Sequence, residues 1–153
     1  MAEVKIIEWR DEYREIFAAL SREWLEKYLT VEPFDLAIMN DPRGMVLDGG
    51  GQIFFAERDG RVVGTVAMIK SGEAAFELAK LAVTEEFKGL AIGRRLMAAA
   101  LDFARARKAA RVFLYTNKIL TPAIALYCAF GFQDVPMDDR KYLESDMKME
   151  FLL

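Results

Sequence analysis

Residues 77–101 read ELAKLAVTEEFKGLAIGRRLMAAAL, and this stretch decides the fold. The apolar run 78–83, interrupted only by Lys80, has the composition of a buried strand. Thr84, Glu85 and Glu86 leave that strand, Gly89 and Gly93 fall in the turn that follows, and residues 94–107 carry a helical pattern. Strand, glycine-bearing turn and helix in that order aim backbone N–H groups and the positive end of a helix dipole at one point, which suits an anion and above all a phosphate. No Gly-Lys-Ser/Thr follows, so the turn is not a P-loop, and the glycines are spaced wrongly for the dinucleotide fingerprint.

The flanking sequence supplies a sheet for this turn. Residues 52–58 and 61–69 alternate as strands around Asp59-Gly60, a strong hairpin signal. Gly64 inside the second predicts a bulge or a close backbone approach. Ser71-Gly72 turns the chain into the strand that ends at Val83. Further strands are expected at 4–8, 110–116, 132–135 and 147–152. Tyr13, Ile16, Phe17, Leu20, Trp24, Leu25 and Tyr28 recur at helical steps; Ser21 allows either a second cap there or one bent helix. Pro33 opens another helix, ended by Asn40-Asp41-Pro42. Thr121 is read as an N-cap with Pro122 at the first helical position, and Gly131 as the stop after residues 123–130. The result is a mixed, mostly antiparallel sheet with helices on both faces, an α/β (α+β) domain.

At 153 residues the chain is read as a single domain, 1–153, with enough length for a proper core. A hydrophobic content of 54% excludes a disordered chain, and no apolar run approaches a membrane span. A net charge of −3 speaks against a nucleic-acid partner. One cysteine and no signal-peptide pattern give the expectation of a cytoplasmic protein without a disulfide. The absence of histidine removes Ser-His and Cys-His catalysis and the commonest metal ligand, and no metal is expected. A general base must be a carboxylate, Tyr, Lys, the Cys or a water.

The run from Leu81 to Leu96, with Phe113-Leu-Tyr-Thr-Asn117 and Ala123-Ile-Ala-Leu-Tyr127-Cys-Ala-Phe-Gly131-Phe132 after it, resembles the acyl-CoA signature of the GNAT-type N-acetyltransferases. Lys88 stands where that signature has Arg or Gln, and Ala91 where it has its first Gly; Gly93 matches. The resemblance implies the GNAT fold, in which the strands ending at Val83 and near Asn117 are parallel and splay apart to admit acetyl-CoA. It implies that Leu81, Ala82 and Val83 bind the pantetheine arm, with the Val83 N–H near the thioester carbonyl. It implies that Lys88, Gly89, Leu90, Ala91, Ile92, Gly93 and Arg94 hold the pyrophosphate, and that Asn117 and Tyr127 complete the site. Ala91 is expected to avoid a positive φ. Tyr127 is the expected acid for the leaving thiolate.

An amine acceptor arrives protonated and must lose a proton before it attacks. Glu77 is the expected base: several family members place a catalytic Glu at this spacing, and strand alternation puts Glu77 on one face with Ala79, Leu81 and Val83. Glu57, Asp48, Asp146 and a water relay are its rivals. Cys128 is expected to be buried and inert. Trp24, Tyr28, Glu32, Phe34, Asp35, Tyr142, Glu144 and Asp146 are the expected walls of an acceptor pocket. The expected activity is direct acetyl transfer to an amine of a small molecule or peptide, the alternative a non-catalytic acyl-CoA-binding or regulatory module on the same fold. Homodimers recur in the family, and nothing in the sequence requires one.

Overall fold

The computed structural model describes residues 3–88, 91–137, 139 and 141–153. Seven strands form one sheet: β1 (Val4–Glu8), β2 (Gln52–Arg58), β3 (Arg61–Lys70), β4 (Ala75–Val83), β5 (Arg111–Thr116), β6 (Gln133–Val135) and β7 (Met147–Leu152), in the order β1-β2-β3-β4-β5-β7-β6. Every pairing is antiparallel except β4 with β5. Among the described residues four α-helices cover the sheet: α1 (Arg14–Tyr28), α2 (Pro33–Asn40), α3 (Ile92–Ala106) and α4 (Thr121–Phe130).

Alternation along the strands sorts the core into two layers. Phe54 and Ala56 of β2 face the layer that holds Leu96, Met97 and Leu101 of α3 and Tyr127 of α4. Their neighbours Ile53 and Phe55 face the other layer, with Phe17 and Leu20 of α1 and Ile38 of α2. The β2–β3 turn has positive φ at both Asp59 (53°) and Gly60 (74°), the conformation that matches the twist of a two-residue hairpin. Gly64 lies where register slips between β2 and β3. A Cβ there would stand 3.0 Å from Leu96 Cδ1 and 3.3 Å from the Ala82 carbonyl oxygen, so glycine lets β3 lie close under the start of α3.

The feature that opens the site is in β4. Ala79 pairs with Ala67 and Ala82 with Thr65, so Lys80 and Leu81 together oppose one residue of β3. This is a β-bulge, and Lys80 adopts a left-handed conformation at φ 57°. The bulge bends β4 away from β5, whose parallel pairing is confined to Ala75–Glu77 against Arg111–Phe113. Beyond those residues the central strands splay apart.

The bulge also corrects the face assignment of Glu77. The extra residue reverses alternation, so Leu81 and Val83 pack against the α3 layer, whereas Glu77 bonds Lys141 and Lys80 bonds Asp35 of α2 on the opposite face. Of the two readings open at Ser21 the structure takes one helix, α1, with Ser21 buried in it. Two smaller expectations change. Thr121 lies inside α4, entered through a turn in which Leu120 N–H donates to the Asn117 carbonyl. Cys128 is exposed: α4 turns Tyr127 into the core, and the next residue points about 100° away, to solvent.

Candidate active site

Two cavities meet at the splayed strands. The larger, about 580 Å³, is a groove between the end of β4, the start of α3 and one side of α4. Leu81 and Val83 form one wall, Ala91, Ile92, Gly93 and Arg94 one end, and Pro122, Ala123, Leu126 and Tyr127 the other wall. The smaller, about 90 Å³, lies on the α1–α2 side and is lined by Ser21, Glu32, Asp35, Glu77, Lys80 and Tyr142 among others. Trp24, Leu81, Leu120 and Tyr127 border both cavities.

One end of the groove is the first turn of α3. Helical geometry leaves the N–H groups of that turn without intrahelical acceptors. The chain enters it through Ala91 at φ 60° and ψ 20°, which corrects the expectation that Ala91 avoids a positive φ. A Cβ there costs about 1–2 kcal/mol. Ala91→Gly is therefore expected to hold or raise the melting temperature, by up to about 4 °C once the greater freedom of glycine in the unfolded chain is set against the relieved strain; a lower melting temperature would show that the methyl group supports the turn. Gly89 and Leu90 lie outside the described residues.

Lys88 reaches the groove mouth from a clasp with α1. Its ammonium sits 4.1 Å from the Tyr28 ring centroid, bonds the Tyr28 hydroxyl and pairs with Glu85 at 2.9 Å. Tyr28 O–H donates to Glu85 at 2.7 Å, and Lys27 adds a second cation at 3.0 Å. Bonds from Lys88, Tyr28 and Lys27 bring the Glu85 carboxyl down to about 2. Partial desolvation opposes the charge on Lys88, but Tyr28 and Glu85 hold its pKa above the usual value.

Tyr127 is 8% exposed and borders both cavities. Burial pushes its phenol up to about 12, so it is protonated at neutral pH and able to donate. Glu77 is 1% exposed. Burial raises its carboxyl above the ordinary range, against the pull of the Lys141 ammonium that bonds it. Asn117 is not brought to either cavity. Its side-chain amide donates to the Glu144 carbonyl at 2.6 Å and its Oδ1 accepts from Ile119 N–H at 3.0 Å, so it ties the β5 end to the loop before β7.

That loop roofs the smaller cavity. Glu32 caps α2 reciprocally with Asp35 and accepts the N–H groups of Leu143 at 2.7 Å and Glu144 at 3.0 Å. Phe34 stacks edge-on against Tyr142 at 5.5 Å. Of the residues expected in an acceptor pocket, Trp24, Glu32, Asp35, Tyr142 and Glu144 line it, and Phe34 supports it from behind. Tyr28 lies on the groove instead, and Asp146 accepts the Lys118 N–H. Glu57, a rival base, accepts from the Tyr13 hydroxyl on another part of the sheet. Sequence reasoning missed Lys80 and Lys141 as the partners of Asp35 and Glu77. A lone lysine within an apolar strand was the available signal for the first.

The chain matches the profile of the acetyltransferase (GNAT) family over residues 6–132. It belongs to that family. It is 31% identical over 125 residues to rat N-acetyltransferase family 8 member 2, covering 78% of this chain and 53% of that protein, and 35% identical over 89 residues to mouse N-acetyltransferase 8, covering 55% and 39%. The chain thus spans about half or less of these curated relatives. Its fold superposes on a GNAT-family acetyltransferase from Staphylococcus aureus Mu50 with a TM-score of 0.87, 19% identity and coverage of 97% and 98%. It also superposes on the PaiA N-acetyltransferase from Thermoplasma acidophilum in complex with coenzyme A, with a TM-score of 0.78, 17% identity and 99% coverage of both chains. Among the described residues, no helix is long and apolar enough to cross a membrane, and no cluster of ligating side chains could hold a metal ion.

Proposed function

We propose that this chain acts as one N-acetyltransferase domain, moving an acetyl group from acetyl-CoA directly to an amine. The observation that carries the reading is the junction of the two cavities. A long groove with a helix N-terminus at one end meets a small carboxylate-bearing pocket at Leu81 and Tyr127. The donor lies in the groove with its pyrophosphate on the turn that ends in Ile92, Gly93 and Arg94 and its pantetheine along Leu81 and Val83. Bent away from β5, this end of β4 has backbone groups to offer the two pantetheine amides, and the Val83 N–H is assigned to the thioester oxygen. The acceptor enters from the Glu77 side.

In the reaction the ammonium of the acceptor gives a proton to Glu77, directly or through water. The amine nitrogen then attacks the thioester carbon, the C–S bond breaks, the thiolate takes the Tyr127 proton, and the second proton of the amine nitrogen returns to the Tyr127 oxygen, directly or through water. The products are the amide and free CoA, with one proton released to solvent when Glu77 resets. PaiA bound to coenzyme A has the same fold, which supports the choice of donor. The test is titration with acetyl-CoA and with ATP, followed by thiol release across a panel of amines. Saturable binding of acetyl-CoA alone and amine-dependent thiol release are expected; tight ATP binding that acetyl-CoA cannot displace would overturn the reading. Tyr127→Phe should lower kcat about 10- to 100-fold with acetyl-CoA affinity nearly unchanged, and an unchanged kcat removes Tyr127 from the chemistry.

A further inference from the structure

Two carboxylates that line the small cavity, Asp35 and Glu77, carry ion pairs, and the two pairs differ. Asp35 of α2 and Lys80 of β4 are both nearly closed to solvent, with side chains 4% and 6% exposed. Glu77 of β4 is as closed, at 2%, but its partner Lys141 keeps 28% of its side chain exposed. Lys141 comes from the loop before β7, bonds the Glu77 carboxylate and holds its ammonium 4.2 Å from the Phe34 ring centroid. A dry carboxylate in the sheet therefore faces a counter-ion that water still reaches.

A base must be charged to take a proton from an ammonium. A glutamate taken out of water without a cation holds its own proton instead, with a pKa of about 8–9 when burial is complete. Burial pushes Glu77 that way; Lys141 opposes it most strongly, and Lys80 and the Tyr142 hydroxyl follow. Lys80 is spent on Asp35, so that pair brings little net charge. The other neighbours add no free cation. Glu77 pairs with apolar Ile69 of β3 and Phe113 of β5. Tyr115 of β5 and Glu32 and Asp35 of α2 act on Tyr142. Lys148 of β7, 4.9 Å from the Phe113 ring centroid, pairs with Asp139 at 3.1 Å.

Resting on the proposed transferase reading, we propose that Lys141 is a positioning residue for the base: its ammonium keeps the buried Glu77 carboxylate ionised at neutral pH and fixed at the small cavity. Lys141 acts through Glu77 and takes no part in the bond changes. Phe34 serves this arrangement from α2, since its ring lies under the Lys141 ammonium and its edge packs against Tyr142 at 5.5 Å. The contrary role is a plug, in which the Lys141 ammonium occupies the place of the acceptor's own and must leave before reaction. The two roles predict opposite signs when the charge is removed.

Lys141→Met keeps the length and the apolar stem over Phe34 and removes the charge; Lys141→Gln serves if the methionine variant does not fold. The full chain is isotope-labelled at its glutamate carboxyl carbons, and the Glu77 resonance, assigned by its loss in Glu77→Gln, is followed by NMR as pH is raised. Its midpoint in Lys141→Met is expected at least about one pH unit above wild type, and Lys141→Arg should return it to within about half a unit. Thiol release is then measured with saturating acetyl-CoA and whichever amine of the panel reacts fastest. In Lys141→Met its kcat/KM should fall about 10-fold at pH 7 and recover to within about 3-fold near pH 9.5, where Glu77 is again charged. Lys141→Arg should restore most of the loss. An unmoved Glu77 midpoint, an equal loss at every pH, or a kcat/KM that rises at pH 7 overturns the proposal, the last in favour of the plug. If no amine turns over, the transferase reading fails by itself, and the Glu77 midpoint still decides whether Lys141 sets the charge of that carboxyl.

Discussion

Glu77→Gln is expected to lower kcat/KM for the amine about 100-fold at pH 7, and the loss should shrink below about 10-fold near pH 9.5. The magnitude is that of a positioned general base. The pH dependence follows from the acceptor. An alkylammonium with a pKa near 10 arrives charged at pH 7 and needs a base to take its proton, whereas at pH 9.5 a substantial fraction is already neutral. Burial raises the Glu77 carboxyl above its ordinary value even with Lys141 bonded to it. Activity of the wild type should therefore fall on the acid side through a pKa above the usual carboxylate range, and that limb should vanish in the variant. Stability is not expected to account for the loss. A carboxyl whose folded pKa is raised binds its proton more tightly in the folded state, so its contribution to stability falls as pH rises through the raised pKa and is flat beyond. At pH 7 the glutamine thus removes a desolvated charge, and Lys141, with its side chain 28% exposed, can turn to water. A rate profile from pH 6 to 10 with melting curves at each end checks this; an equal loss at every pH would make Glu77 a structural residue.

Several element boundaries were legible because they sit beside residues with a conformational signature. Asp59-Gly60 marks the β2–β3 hairpin, Ser71-Gly72 the entry to β4, and Gly131 the end of α4, with φ 106°. The two layers were legible in the alternation of Ile53, Phe54, Phe55 and Ala56. What alternation could not carry was the bulge at Lys80, since a lysine gives no sign that it will take a left-handed conformation. One inserted residue reversed the faces of Leu81 and Val83 relative to Glu77. The same limit hid the left-handed Ala91, whose conformation is forced by its context and not by its side chain. Ion pairs between distant segments, Asp35 with Lys80 and Glu77 with Lys141, were invisible for another reason. They link residues 45 and 64 positions apart, and only the closed sheet brings α2 and the loop before β7 over β4. The residues that line the smaller cavity could be grouped from their aromatic and acidic composition, but which of them meet follows from packing alone.

Gly93→Asp is expected to weaken acetyl-CoA binding by roughly 30- to 1,000-fold while the fold persists. Gly93 is the second residue of α3 and lines the groove. A Cβ there would meet Leu126 Cδ2 at 3.4 Å, an ordinary contact, so the side chain itself is accommodated. Aspartate is favourable at this place in a helix, where it faces the positive end of the dipole, and glycine is a poor helix former that any replacement improves. The melting temperature should therefore hold or rise. Binding changes because the new carboxylate takes the place of the phosphate it resembles. Two unit charges about 4 Å apart near a protein surface repel by about 4 kcal/mol, reduced by salt to about 2–4 kcal/mol at this half-exposed site, and each 1.4 kcal/mol is a factor of ten in affinity. Gly93→Ala separates charge from shape and should cost less than about 5-fold. Titration of both variants in low and high salt decides the matter: the Asp defect should narrow as ionic strength rises. Equal affinity for acetyl-CoA in wild type and Gly93→Asp would move the phosphate site away from the start of α3, and the groove would then have to be read from its Leu81 end alone.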